Sequence, residues 1–383
     1  MMLRLQQHKR SYIVTSRKDK EAEMNNKILE SVNSLMHEDK AKTQRAFDEV
    51  APLVNEVFHA LANYDIRFEF SELSLDSCKV EKIMEKEYTI LCPLKELPEE
   101  HLRLEGKNST GALAVRLSRT YEDSIDKVSW EDISLPPDEK GCRYFSTTRL
   151  LQVLIARLKH AIHDVIPTDG ENNDKEKSLS CKQKNDMVYL EVKVSDCCHR
   201  FNLLPCVPLN EGIMKSLSMD SRITRITKHM KIETTETAYL VAKPLQKHPE
   251  KLWRITVNNI EESIVRQIFD STECGNHCLF ALTHMNEQLF SEKKNKGLVP
   301  QYLTRMALLE EFLKYPNLNN WKSKYFTVRV ESILRSLEEH LYKKDLKNIL
   351  TGVNIVAHRA KDNLGELLDD VERVRVEFRK YFS

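Results

Sequence analysis

The chain has 383 residues, 41% of them apolar, which is enough for one large core or two coupled ones and excludes a small cross-linked scaffold. Its 59 basic and 58 acidic side chains leave a formal net charge of +1, so no bulk field draws it to nucleic acid or anionic lipid and any basic surface is local. Only 9 residues are glycine, about 2% against roughly 7% in an average chain, and no two fall in a GxG or GxxxxGK spacing, which excludes the dinucleotide and P-loop phosphate cradles.

In chain order, residues 1 to about 24 are polar, with apolar positions too sparse to fix a packed face, and are expected to form a loose tail within a lead-in that reaches residue 42. Phe47, Val50, Val54, Val57, Phe58 and Leu61 then recur at helical spacing and predict a long amphipathic helix, kinked at Pro52. Extended segments follow at residues 66–70, 88–91, 189–194, 200–204, 238–241 and 253–257, most of them alternating or β-branched, and predict one twisted, mostly antiparallel sheet. Between the second and third of these, Leu150, Leu151, Leu154, Ile155 and Leu158 mark a helix with Thr147 or Thr148 as its cap. The polar stretch 169–186 is expected to be a solvated loop. From about Glu261 strand signals stop, and helices are predicted at 264–269, 278–290, 302–315, 328–341 and 364–382. The fold class is therefore α+β in two lobes: residues 43–260 form a mixed lobe around the sheet and residues 261–383 a helical lobe, with a cleft expected between them. Nine cysteines without a repeating spacing, and no charged-then-apolar leader, predict a reduced intracellular protein of the nucleus or cytoplasm. The longest apolar stretch, residues 150–158, is interrupted by Gln152 and Arg157 and falls far short of the ~20 residues of a membrane span, so no membrane partner is expected.

Two stretches carry a wider pattern: Ala238-Tyr-Leu-Val-Ala-Lys243-Pro244, and Lys251-Leu-Trp253-Arg254-Ile-Thr256-Val followed by Ile260-Glu-Glu. With them go Asp65-Ile-Arg67-Phe68, Tyr144-Phe-Ser-Thr, Val188-Tyr-Leu-Glu-Val, Phe201-Asn-Leu-Leu-Pro205, Cys274-x-x-x-Cys278-Leu, Lys314-Tyr-Pro316 before Trp321, and Asn354. In this order and spacing, over roughly residues 43–360, the chain resembles the Mab-21 domain family, which includes the cyclic GMP-AMP synthase-like nucleotidyltransferases. The resemblance implies a nucleotidyltransferase-like lobe packed on a helical one.

It also implies where the chemistry would sit. Enzymes of the family hold two divalent cations with three carboxylates, two at alternate positions of one strand, which places them on one face, and a third on a neighbouring strand. Those positions read Glu87, Thr89 and Asn202 here: one carboxylate, one hydroxyl and one amide. Shifting the first pair to Glu85 and Glu87 still leaves Asn202 as the third, with Asp196 six residues earlier. The family's Gly-Ser loop should fall within residues 70–84, which contain no glycine and carry Glu72, Asp76 and Glu81 against any phosphate. Lys243 and Arg254 match the positions from which the relatives present cations to nucleotide, while a third basic position falls at Thr283 or His284.

The zinc-bearing loop of the DNA-binding relatives has no counterpart. No His or Cys lies between Arg254 and Cys274, and Cys274, His277 and Cys278 supply at most three crowded groups, so buried thiols are expected and no zinc-dependent grip on DNA. Cys197-Cys198-His199 is expected to form a strand-end turn. Lys215, Arg222, Arg225, Lys228 and Lys231 gather locally but alternate with acids, as on a solvated face. Hydrolase signatures such as HExxH and GxSxG are absent. The expectation is a catalytically silent Mab-21-like protein, without a cofactor, acting in development or regulation through proteins and a possible nucleotide or RNA ligand. The alternative is a divergent transferase in which Glu87 holds one Mg²⁺ or Mn²⁺.

Overall fold

One helix, α1 (Met2–Tyr64), opens the chain and runs without a break through Pro52. The structure, a computed structural model, describes residues 2–75, 79–82, 87–97, 102–105, 112–117, 129–166, 177–184, 187–195, 197–209, 238–243, 250–291, 301–349, 352, 354–356 and 361–381. The expected loose tail is therefore helical from Met2. Lys, Glu, Gln and Asn supply little apolar periodicity there, yet most of them are compatible with helix, and a helix already nucleated downstream extends through them one bond at a time. The described residues form two compact units, and α1 contributes to both: residues 41–209 and 238–260 make a sheet unit, residues 2–40 and 261–381 a helical unit.

The sheet unit contains β1 (Lys79–Lys82), β2 (Glu87–Pro93), β3 (Leu102–Glu105), β4 (Ala112–Leu117) and β5 (Arg143–Tyr144), then, after helix α2 (Thr147–Val165), β6 (Lys177–Lys184), β7 (Met187–Val194), β8 (Cys197–Pro208), β9 (Tyr239–Val241) and β10 (Leu252–Thr256). Its order is β1-β2-β8-β9-β10-β4-β3, with β7 also on β8, β6 on β7 and β5 on β4. Among the described pairings only β2 with β8 is parallel. β8 is central because it is long: its first half pairs with β7, its last residues with β9, and residues 200–206 also pair with β2. One face packs on α1, where Phe47 meets Tyr88 edge-on at 5.6 Å and Tyr88 stacks on Phe201 at 4.8 Å.

Several expectations need correction. Residues 66–68 are not extended; they form a 3₁₀ turn, because Asp65 caps it by accepting from the Arg67 amide. Arg67 is then held by Asp65 and Asp132, its Nη1 2.6 Å from Asp132 Oδ1 and its Nη2 2.7 Å from Asp65 Oδ2. Helix α2 is capped by Ser146, one residue before the expected threonines: its hydroxyl accepts from the Arg149 amide and donates to Glu250, while Thr147 is already helical and buried. The described part of the expected 169–186 loop, residues 177–184, is strand β6, an edge strand held by its backbone ladder to β7. Cys197 and Cys198 open β8 and do not form a turn.

The helical unit contains α3 (Asn258–Asp270) from Glu261 onward, α4 (Gly275–Ser291), α5 (Gln301–Lys314), α6 (Phe326–Lys343) and α7 (Lys361–Tyr381). Trp321 is fully buried between Phe269 and Phe312, and Cys274 and Cys278 are buried as expected. Gly275 starts α4 against Phe269 and Thr272, where an added Cβ would lie 2.3 Å from Thr272 Oγ1 and 2.4 Å from the Phe269 ring. From α1, Asn25 reaches this unit: its amide donates to the Ser323 carbonyl and accepts from the Thr327 amide. No helix among the described residues is long and apolar enough to cross a membrane.

Candidate functional site

Alternation along β2 buries Tyr88 and Ile90 toward α1 and leaves Glu87 and Thr89 half-buried on the opposite face. The parallel register sets Glu87 beside Arg200 and Thr89 beside Asn202, and β7 sets Glu191 beside Arg200 and Tyr189 beside Asn202 on the other side. The three positions singled out in the sequence thus meet on one patch. Asn202 is 2% exposed, and its Nδ2 donates to Glu87 Oε1 at 3.1 Å and to Thr89 Oγ1 at 3.3 Å. Both amide hydrogens are used, and the orientation follows from charge, since a carbonyl oxygen facing Glu87 would be repelled. Asn202 Oδ1 is buried and has no hydrogen-bond partner among the described residues.

The residue that sequence reasoning missed is Arg200. Its Nη2 and Nε lie 3.2 and 3.3 Å from Glu191 Oε1, and its guanidinium sits 5.5 Å over the Tyr189 ring. Partial burial disfavours its charge, but the Glu191 bond and the charges of Glu87 and Glu191 outweigh that and raise its pKa. Glu191 also receives Lys182, and this bond leads the effects that hold its pKa below the ordinary carboxylate range. Two carboxylates and two cations therefore neutralise one another across β6, β7, β8 and β2. A signal was present in the sequence: Tyr189-x-Glu191 and Arg200-x-Asn202 put these side chains on the same face by alternation alone.

Mg²⁺ favours hard, anionic oxygen donors. This donor set offers one carboxylate, already bonded to an amide and flanked by a guanidinium, one hydroxyl and one carboxamide whose N–H groups point at the other two. The residues present do not fit a two-cation centre. Among the described residues no group of three or more His, Cys, Asp or Glu side chains is placed to hold a metal ion. Glu85, Asp196 and the basic stretch 215–231 lie outside the described residues, as do residues 76–78 and 83–84 of the segment where a Gly-Ser loop was sought.

Lys243 follows β9, half-buried, its amide bonded to the Val241 carbonyl at 2.8 Å. Arg254 is exposed in β10, opposite Val241 and Ala112, and has no ion-pair partner among the described residues. Cys206 pairs with Val241 and Val241 with Arg254, which puts Arg254 on the face of Asn202 but two strands across and four residues along. Standard strand dimensions make that about 16 Å. The site residues thus form two groups: a neutralised cluster at Glu87, Thr89 and Asn202, and a separate basic position at Arg254. In the helical unit, Thr283 donates to the Leu279 carbonyl and His284 stacks on Phe280. The Cys274 and Cys278 side chains bond to each other, and Cys278 Sγ lies 4.0 Å from the Phe326 carbonyl, while His277 Nε2 bonds Asn33 Oδ1 instead. No protein-family model matches this chain, and no curated protein matches it.

Proposed function

We propose that this chain is a Mab-21-like protein on a nucleotidyltransferase-like fold that carries out no nucleotidyl transfer and serves a regulatory or developmental role through protein contacts. One observation carries the reading: the Asn202 amide supplies to Glu87 and Thr89 the positive end that a divalent cation would otherwise supply. Arg200 adds to it, since a guanidinium beside Glu87 lowers the negative potential on which cation binding depends. The exposed Arg254, with Lys243 nearby in sequence, remains suited to a phosphate or the face of a base, so a nucleotide or RNA segment is the small ligand this reading allows.

The competing reading, a transferase with one Mg²⁺ on Glu87, requires Glu87 to exchange its Asn202 bond for the ion. The test is incubation of the full chain with ATP and GTP, with Mg²⁺ or Mn²⁺, followed by anion-exchange chromatography. Unchanged nucleotide is expected. A new dinucleotide or cyclic product that disappears in Glu87→Ala would replace this reading with the transferase.

A further inference from the structure

β6 (Lys177–Lys184) is an edge strand of eight residues, longer than the four of β1, the four of β3 and the two of β5. β7 pairs with its whole length, and among the described residues no hydrogen bond reaches its other side. Lys184 faces Met187 across two intervening residues, and the pair closing such a connection exchanges both backbone bonds. By alternation residues 182, 180 and 178 also bond β7, while 183, 181, 179 and 177 turn their N–H and C=O groups outward. Four donors and four acceptors thus stand in a row at strand spacing, a template for one more strand.

The two faces beside this edge differ. Leu179 and Cys181 are half-buried on one face, with Lys159 of α2 near Cys181. Ser178, Ser180 and Lys182 alternate onto the other, the face of Glu191, Lys193 and Arg200. Glu191 engages Lys182 and Arg200, whereas Lys193 and, at the start of β6, Lys177 are exposed and have no ion pair among the described residues. β6 holds no acid, so a second copy laid on this edge would bring lysines to lysines. Resting on the reading that the chain acts through protein contacts, we propose that the outer edge of β6 takes an extended segment of an acidic partner protein as an added antiparallel strand. The segment carries acids at alternate positions, on the face of Lys182 and Lys193, and apolar residues between them, on the face of Leu179 and Cys181. Directly paired residues share a face, so its apolar residues are the ones whose N–H and C=O groups meet those of residues 177, 179, 181 and 183.

The probe is a fluorescein-labelled peptide of alternating glutamate and valine, eight residues long to match β6, titrated with the full chain and read by fluorescence anisotropy. Saturable binding within about 1–200 µM is expected, and a lysine–valine peptide of the same length binds about tenfold more weakly or worse. N-methylation of the valines abolishes binding, and N-methylation of the glutamates leaves it within about threefold, since only the valine amides face β6. Gln183→Pro removes one outward donor and keeps the ladder to β7, so it weakens binding by about fivefold or more while melting of the free protein stays unchanged. Lys193→Glu weakens it by about threefold or more. If Gln183→Pro does not fold, the two methylated peptides decide without it. No saturable binding, equal binding of the two methylated peptides, or equal binding of the lysine peptide would each overturn the proposal. Such a result removes this edge site alone and leaves the chromatographic test of nucleotidyl transfer to stand or fall by itself.

Discussion

Replacing Asn202 by Asp puts a second carboxylate where an amide now donates 3.1 Å from Glu87 and 3.3 Å from Thr89. The hydrogen bond lost to a charged partner is worth about 1.5–3 kcal/mol. Two unit charges at that separation repel by about 5 kcal/mol at an effective dielectric constant near 20, a figure that Glu87's half exposure and the nearby Arg200 cut by half or more. Asn202→Asp should therefore lose about 3 kcal/mol at pH 7 without metal. The new carboxyl has its folded-state pKa raised, so the penalty is absent below the unfolded value of about 3.9, grows as pH rises toward the folded value and is constant above it. Urea unfolding at pH 4 and pH 7, with and without Mn²⁺, measures it. The difference from the parent should be small at pH 4, largest at pH 7, and partly recovered by Mn²⁺, which the variant's paired carboxylates can bind. A variant as stable as the parent at pH 7 without metal would refute the donor role assigned to Asn202.

Other consequences follow from single contacts. Asp132→Ala leaves the 5%-exposed Arg67 with only part of its counter-charge and should cost about 3 kcal/mol, measured by urea unfolding; the Arg67 bond and charge outweigh burial and hold the Asp132 pKa below its ordinary value, so the pair's contribution is full above that ordinary value and is lost as pH falls through the lowered one. Asn25→Ala removes both bonds from α1 to residues 323 and 327 and should cost about 1–3 kcal/mol, seen as earlier amide exchange in residues 323–330. Burial lowers the pKa of His277 and of His284, so their unfolded states bind more protons below about pH 6.5 and stability drops from there as the solution is acidified. His277→Gln should flatten that acid limb. His340 behaves oppositely: its bond to Glu310 raises its pKa, its contribution is full below about pH 6.5 and is lost as pH rises through the raised value, so His340→Ala should cost more at pH 5.5 than at pH 8.5.

What the sequence made legible depended on how each signal is written. Apolar periodicity located α3 to α7 and the core half of α1, because a buried stripe must repeat every 3.6 residues. It did not find β6, which reads Lys-Ser-Leu-Ser-Cys-Lys-Gln-Lys, because an edge strand is fixed by its ladder to β7 and buries little. β4, with Ala112, Leu113, Ala114 and Val115 all buried, lacks the alternation that was sought, since both of its faces are covered. The cap of α2 slipped by one residue because Ser146, Thr147 and Thr148 are chemically equivalent caps, and it is Glu250, distant in sequence, that engages the first two. At the site, the side-chain types at 87, 89 and 202 could be read and their meeting expected. Alternation could place Arg200 on the face of Asn202, but that it neutralises Glu87 and Glu191 depends on the β7–β8–β2 register, which no local pattern encodes.

The most direct test of the central claim is a thermal-shift titration of the full chain with ATP and GTP, run with and without Mn²⁺. A ligand that binds only the folded state stabilises it by about 2.7 kcal/mol at 100 times its Kd, so even modest affinity registers. If the Glu87–Thr89–Asn202 cluster is neutralised from within, any nucleotide shift is the same with and without Mn²⁺ and is lost in Arg254→Ala. A shift that appears only with Mn²⁺ and is lost in Glu87→Ala would contradict the account and show a working metal centre.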